Sequence, residues 1–131
     1  MPYPLSFRYP PTGRGVTVPV SLSTDTMTVK SFAKIDTGAE HCVFERGFAE
    51  ALLIDVESGT PLRFSTVTGE FNAYGHELSL AVLGIEVHAL VYFYENPAFT
   101  RNVLGRRGWL ERVRFGLVDC DSLVYLSPYD E

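Results

Sequence analysis

The chain has 131 residues, of which 46% are hydrophobic and 21% are charged, and this composition is typical of one globular domain over residues 1–131. A net charge of -5 argues against a general nucleic-acid-binding surface, and no stretch approaches the ~20 apolar residues of a membrane span. The N-terminus lacks the basic start and apolar segment of a signal peptide, so we expect a cytoplasmic protein without a membrane partner.

The first third of the chain predicts two strands after an extended arm. Four of the eight prolines lie within residues 1–13, which favours an extended N-terminal arm. Apolar residues alternate with others through residues 16–22, the pattern of a strand with one buried face. A turn at residues 23–26 leads to a second strand over residues 29–35, which ends directly before Asp36.

The middle of the chain predicts one helix and a series of hairpins. Aromatic and aliphatic residues recur at helical spacing over residues 44–53, which indicates a short amphipathic helix. A strand is expected over residues 61–68 and a turn at residues 69–70. Two further alternating segments, residues 74–82 and 85–93, are separated by Leu-Gly and predict another hairpin.

The last third predicts short elements. Residues 103–105 form a brief apolar strand, and residues 106–113 suit one or two helical turns. Residues 117–118 and 123–126 give two more short strands. Many short strands separated by turns, with one or two small helices, indicate an all-β, barrel-like fold.

One short motif stands at the end of the second predicted strand. The sequence Asp36-Thr37-Gly38 occurs there, and the chain has no second Asp-Thr-Gly or Asp-Ser-Gly. Gly38 permits a tight backbone path after the strand. Taken alone, the triplet is weak evidence, because Asp36 could be a turn aspartate that caps local backbone amides.

Taken with two other segments, the triplet resembles that of the retropepsin-like aspartic proteases, the single-domain family that includes retroviral proteases. Residues 36–39 follow an apolar strand, and residues 64–74 form a hairpin region where the family carries its substrate-covering flap. Residues 102–106, Asn-Val-Leu-Gly-Arg, are similar to the family's apolar-apolar-Gly-Arg segment before the C-terminal helix. The resemblance spans residues 14–126 and implies a retropepsin-like closed β-barrel.

The resemblance implies a homodimeric aspartic endopeptidase that acts on a peptide or protein substrate. Its chemistry needs two facing carboxylates that share a proton, so each of two subunits would supply one Asp36. Thr37 would hold the two loops in register, and Gly38 would let the substrate backbone approach closely. Water activated between the carboxylates attacks the peptide bond, and this chemistry requires neither a metal nor another cofactor.

The same resemblance implies further roles around the triplet. Ala39 and the hairpin tip, Val67, Thr68 and Gly69, would contact substrate. Glu40 and Arg106 occupy the positions of an acid and an arginine that form an ion pair in retroviral relatives. We expect this structural pair to be partly desolvated and to fix the register of the loop.

A second interpretation belongs to a different functional class. A catalytically inactive domain of this kind could serve as a dimerisation or peptide-binding module that grips an extended peptide by strand addition. A purely structural homodimer is a weaker interpretation, because it leaves the Asp-Thr-Gly loop unexplained.

The remaining residues of chemical interest have ordinary interpretations. Cys42 and Cys120 lie in apolar surroundings and are expected to be buried free thiols. Trp109 is expected in the core or an interface. The three histidines show no metal-ligand spacing.

Overall fold

The computed structural model describes residues 5–11, 13, 15–67 and 69–129, and within these ranges the chain is mostly β-sheet with one short α-helix. The predicted all-β class is therefore confirmed. The ten strands are β1 Leu5–Arg8, β2 Thr17–Ser23, β3 Thr28–Ile35, β4 Val43–Phe44, β5 Thr60–Thr66, β6 Gly69–Val82, β7 Ile85–Tyr94, β8 Val103–Leu104, β9 Val113–Val118 and β10 Leu123–Pro128. The helix is α1 Arg46–Ala51, and 3-10 turns span Val56–Ser58, Leu110–Arg112 and Asp119–Asp121.

The strands form two sheets. The larger has the order β2-β3-β8-β4-β7-β6-β5, and β2 also pairs with β6. The hydrogen-bonded neighbours therefore run from β2 through β3, β8, β4, β7 and β6 and return to β2. The smaller sheet has the order β1-β10-β9.

The sequence patterns that predicted strands and turns match the structure in β2 and in the β6–β7 hairpin. In β2, Val18, Val20 and Leu22 are buried, as their alternation predicts. The β6–β7 hairpin turns at Leu83 and Gly84, and both have positive φ angles, of 51° and 87°. Such two-residue turns match the twist of the adjoining strands, which explains the glycine.

Two helix predictions need correction. The predicted helix over residues 44–53 is shortened to α1, because Val43 and Phe44 form β4, which pairs with β7 and β8. The one or two helical turns expected over residues 106–113 reduce to a single 3-10 turn over Leu110–Arg112, and Val113 already begins β9. Apolar residues in short segments suit either state, so periodicity alone does not decide between them.

The hairpin between β5 and β6 also differs from the expectation. Thr66 pairs with Gly69, so Gly69 and Glu70 belong to β6 and do not form the expected turn. Thr68 lies outside the described residues.

The two sheets share one main hydrophobic core. Its buried residues include Val18 and Leu80 of the larger sheet and Val124 and Leu126 of the smaller sheet. Trp109 is fully buried in the same cluster, in agreement with a core role.

The prediction that both cysteines are buried is correct for Cys42 and wrong for Cys120. Cys42 is buried, and burial raises the pKa of its thiol to about 11. Cys120 is exposed, because it lies in the 3-10 turn Asp119–Asp121 between β9 and β10. Among the described residues, no helix is both long and apolar enough to cross a membrane.

The predicted N-terminal arm contributes a strand to the smaller sheet. β1 pairs antiparallel with β10 from Leu5–Leu126 to Arg8–Leu123. Next to β1, the buried Tyr9 donates its backbone N–H to Ser122 O at 3.0 Å and its hydroxyl to the Asp119 carboxylate. The arm is thus fastened to the turn between β9 and β10.

This attachment should weaken at alkaline pH. The hydrogen bond to Asp119, followed by burial, raises the pKa of Tyr9 to about 12. The folded chain then holds this proton more tightly than the unfolded chain, in which the tyrosine has its ordinary pKa of 10.0. The stabilisation is therefore fully present below about pH 10 and is lost as the pH rises towards 12. Urea unfolding of wild type and Tyr9→Phe should show a stability difference that narrows over this range, and a constant difference would contradict the assignment.

Candidate active site

The Asp-Thr-Gly triplet lies on the loop that connects β3 to β4. These strands are not direct neighbours, because β8 lies between them, parallel to β3 and antiparallel to β4. Ile35 at the end of β3 is paired with Leu104 of β8. The loop of residues 36–42 therefore begins beside the end of β8 and crosses to β4 on its far side.

Backbone hydrogen bonds fix Asp36 at the start of this loop. Its N–H donates to Leu104 O at 3.0 Å, and its carbonyl accepts from Ala39 N at 3.1 Å. Its carboxylate atom Oδ1 accepts the Gly38 N–H at 2.9 Å. The second oxygen, Oδ2, accepts no hydrogen bond from the described residues, and the side chain is partly exposed. Asp36 is thus a turn aspartate with one oxygen left for a ligand.

The segment after β8 packs directly beneath the triplet loop. Arg106 N donates to Ala39 O at 2.9 Å, and Arg107 N donates to Glu40 O at 2.8 Å. A Cβ atom on Gly105 would lie only 2.2 Å from His41 O and 2.9 Å from Ala39 O. Glycine is required at this position because two backbones touch there.

A cleft of about 460 Å³ adjoins the loop. The loop lines it with Asp36 and residues 38–41, and the β5–β6 hairpin lines it with residues 62–66. The remaining lining residues are Val43, Tyr94, Arg101 and Val103. The cleft therefore lies between the Asp36 loop and strand β5.

The predicted substrate contacts fall partly inside this cleft. Ala39 and Gly38 line it, whereas Thr37 is exposed and is not among the lining residues. Val67 is fully exposed near the tip of the hairpin, and neither Val67 nor Gly69 lines the cleft as described. Thr68 lies outside the described residues, so the role of the hairpin tip stays a prediction.

Sequence reasoning missed most of the cleft wall. Leu62, Phe64, Tyr94 and Arg101 line it and were not among the predicted site residues. Leu62 and Phe64 are alternate apolar residues of β5 and therefore lie on the same face of the strand, a pattern that is visible in the sequence. No local pattern marks Arg101.

The predicted ion pair is formed by a different arginine. Glu40 Oε2 lies 4.0 Å from Arg107 Nε, and Glu40 Oε1 lies 3.9 Å from His41 Nε2. Arg106 is exposed and makes no ion pair with any residue in the described ranges. The Glu40 and Arg107 side chains are 68% and 65% exposed, so the pair is not desolvated and contributes about 1 kcal/mol or less.

The correction has a simple geometric cause. His41 and Arg107 form a parallel β-bridge, and Glu40 O accepts the Arg107 N–H. Arg107 therefore lies alongside residues 40 and 41, where its guanidinium group reaches the Glu40 carboxylate.

In comparisons with known proteins, no family model matches the chain, and no curated protein is significantly similar to it in sequence. Within residues 5–11, 13, 15–67 and 69–129, no three His, Cys, Asp or Glu side chains group as ligands for a metal ion.

Proposed function

We propose that the protein is a homodimeric aspartic endopeptidase in which each subunit contributes one Asp36. The observation that carries this proposal is the position of Asp36. It is held by backbone hydrogen bonds at the wall of a cleft, has one unoccupied carboxylate oxygen among its described contacts, and faces a hairpin across the cleft. A carboxylate that is positioned but not consumed by an ion pair suits acid–base chemistry.

The proposed reaction uses two carboxylates in opposite protonation states. The ionised Asp36 takes a proton from the water between them, and the resulting hydroxide attacks the peptide carbonyl carbon. The protonated Asp36 of the other subunit gives its proton to the carbonyl oxygen, which yields a tetrahedral diol. The Asp36 that took a proton from water then gives it to the amide nitrogen as the carbon–nitrogen bond breaks. A diol hydroxyl gives its proton to the other Asp36, so a carboxylic acid and an amine leave and both carboxylates return to their starting state.

The cleft suits an extended peptide. Among the described strands, β5 pairs only with β6, so no described strand pairs with its other edge over residues 60–65. An extended peptide can add to such an edge and place alternate side chains against the cleft wall. In this proposal Val67, Thr68 and Gly69 complete a flap over the peptide.

The strand pairings support a retropepsin-like barrel as the fold. The run of paired strands from β2 returns to β2, and β8 lies under the loop that bears the triplet. The Gly105 contact with His41 and Ala39 supports the segment at residues 102–106 as part of the same arrangement.

The proposal requires a dimer. Glu40 is the second carboxylate that lines the cleft, but it is directed to Arg107 and His41 and is largely exposed. The partner for Asp36 must then come from a second copy of the chain, most simply through a two-fold axis near the exposed Thr37. Sedimentation at micromolar concentration should show a dimer, and a strict monomer under conditions of cleavage would refute the mechanism.

The alternative function is a peptide-binding module without catalysis, which the same cleft and the same strand edge favour. Incubation with a diverse peptide library across pH separates the two. Mass spectrometry should detect new peptide termini if the protein is a peptidase. Peptides that bind but stay intact at every pH would favour the binding module.

A further inference from the structure

The cleft contains two arginines in different electrostatic situations. Arg63 donates from Nε to Asn72 Oδ1 at 3.3 Å and lies 3.9 Å from Glu70 Oε1. Arg101 is exposed at the cleft and forms no hydrogen bond or ion pair with any residue in the described ranges. The cleft thus holds one guanidinium group that is already engaged and one that is available to a ligand.

Tyr94 lines the same cleft as the available arginine. Its ring is 7% exposed and packs against Phe64, Phe71 and Phe99. Tyr94 lines the cleft, and its hydroxyl forms no hydrogen bond with the described residues. Burial raises the pKa of Tyr94, while the nearby charge of Arg101 opposes this, so the hydroxyl is a protonated donor within electrostatic reach of Arg101.

We propose that Arg101 and the Tyr94 hydroxyl form a carboxylate-binding subsite in the cleft, which selects peptides that carry an acidic group. The proposal deepens the proposed function and rests on it for the assumption that the occupant is a peptide. The carboxylate is either an Asp or Glu side chain or the C-terminal carboxylate of the peptide.

The chemistry of this pair matches a carboxylate. An arginine offers several N–H donors, a carboxylate offers acceptors on both oxygens, and a phenol adds a further donor. The neighbouring apolar walls, Phe64 and Val103, lower the local dielectric and strengthen the attraction. Since the whole chain carries a net charge of -5, its long-range field disfavours acidic peptides, and the selection must be local.

The test measures binding separately from cleavage. Fluorescent pools of short randomised peptides, with Glu, Gln or Lys fixed at the centre, are titrated into the Asp36→Asn protein, which keeps the cleft. The Glu pool should bind about tenfold more tightly than the Gln pool, and the Lys pool more weakly than either. The Gln pool is prepared with free and with amidated C-termini. If the terminal carboxylate occupies the subsite, the pool with free C-termini should bind about tenfold more tightly than the amidated pool.

Three variants in the same background assign the effect. Arg101→Gln should abolish the preference for the acidic group, and Tyr94→Phe should reduce it while keeping the ring packing. Arg114→Gln removes the same charge on β9 of the smaller sheet and should leave the preference unchanged. Added salt should reduce the ratio of the Glu-pool affinity to the Gln-pool affinity, because it screens the attraction between Arg101 and the carboxylate.

The outcomes separate this proposal from the proposed function. One outcome is that the wild-type protein cleaves peptides, but neither the Glu pool nor the Gln pool with a free C-terminus binds more tightly than the amidated Gln pool. The subsite is then refuted and the peptidase stands. If no peptide is cleaved but the Arg101-dependent preference is present, the subsite stands and catalysis is refuted. An equal loss of preference in Arg101→Gln and Arg114→Gln would also refute the subsite, because net charge would then explain the effect.

Discussion

Replacement of Asp36 by asparagine is expected to reduce peptide cleavage by roughly a thousandfold or more. Asparagine cannot take a proton from water at neutral pH, and in a homodimer the substitution removes both carboxylates at once. Initial rates on the best library peptide measure the effect. Activity close to that of wild type would move catalysis to other residues.

The same substitution should leave the fold nearly unchanged. The side-chain oxygen of asparagine can still accept the Gly38 N–H that Asp36 Oδ1 accepts at 2.9 Å. The backbone bonds from Asp36 N to Leu104 O and from Ala39 N to Asp36 O do not involve the side chain. Thermal unfolding and sedimentation of the variant should therefore match those of wild type, and loss of folding would make the cleavage result uninformative about chemistry.

Mixed dimers provide the sharper form of this test. Equimolar wild type and Asp36→Asn that exchange subunits give about one quarter wild-type homodimers by random pairing. If both carboxylates are needed, the mixture has about one quarter of the activity of wild type at the same total protein concentration, whereas sites contained within one subunit give about one half. The wild-type rate should also show a bell-shaped pH dependence that belongs to the pair of carboxylates.

The sequence predicted those parts of the fold that depend on local patterns. Alternation in β2 identified a half-buried strand, and Leu83-Gly84 identified a hairpin turn. Asp36 was placed at a strand end because the apolar run of β3 stops there. Each of these features is determined by residues that are adjacent in the sequence, so a single segment is sufficient to predict it.

The sequence could not predict features that depend on contacts between distant segments. Phe44 fits a helical pattern, yet it pairs with Phe93 of β7 in a strand. The choice of Arg107 over Arg106 as the partner of Glu40 depends on how residues 39–41 and 105–107 lie side by side. Arg101 and Tyr94 reach the cleft only because β7 and β8 are both neighbours of β4.

Replacement of Gly105 by alanine is expected to be the most damaging single-methyl change near the site. The added Cβ would lie 2.2 Å from His41 O and 2.7 Å from His41 C, and both are backbone atoms that cannot rotate away. The two segments must separate, which strains the bonds from Arg106 N to Ala39 O and from Arg107 N to Glu40 O. Overpacking of this kind costs up to about 3 kcal/mol in unfolding free energy, which urea titration measures.

Gly105→Ala should reduce the cleavage rate even under conditions in which the variant is still folded. The displaced segment supports the loop that positions Asp36, and a shift of about 1 Å in a catalytic group costs roughly a hundredfold in rate. Cleavage should therefore be nearly lost at temperatures where the variant is still folded by circular dichroism. A folded Gly105→Ala protein with wild-type activity would show that the Asp36 loop is not supported from beneath in this way.

Gly47→Ala is the matched control, because among the described residues no atom outside its chain neighbours and the backbone of its own helix lies within 4 Å of the added Cβ. Gly47 lies in α1, where alanine favours the helix by about 1 kcal/mol relative to glycine. This variant should be slightly more stable than wild type and equally active. Opposite signs for the two glycine substitutions would locate the damage in the contact between Gly105 and His41, whereas similar losses in both would indicate a general intolerance of the fold to added volume.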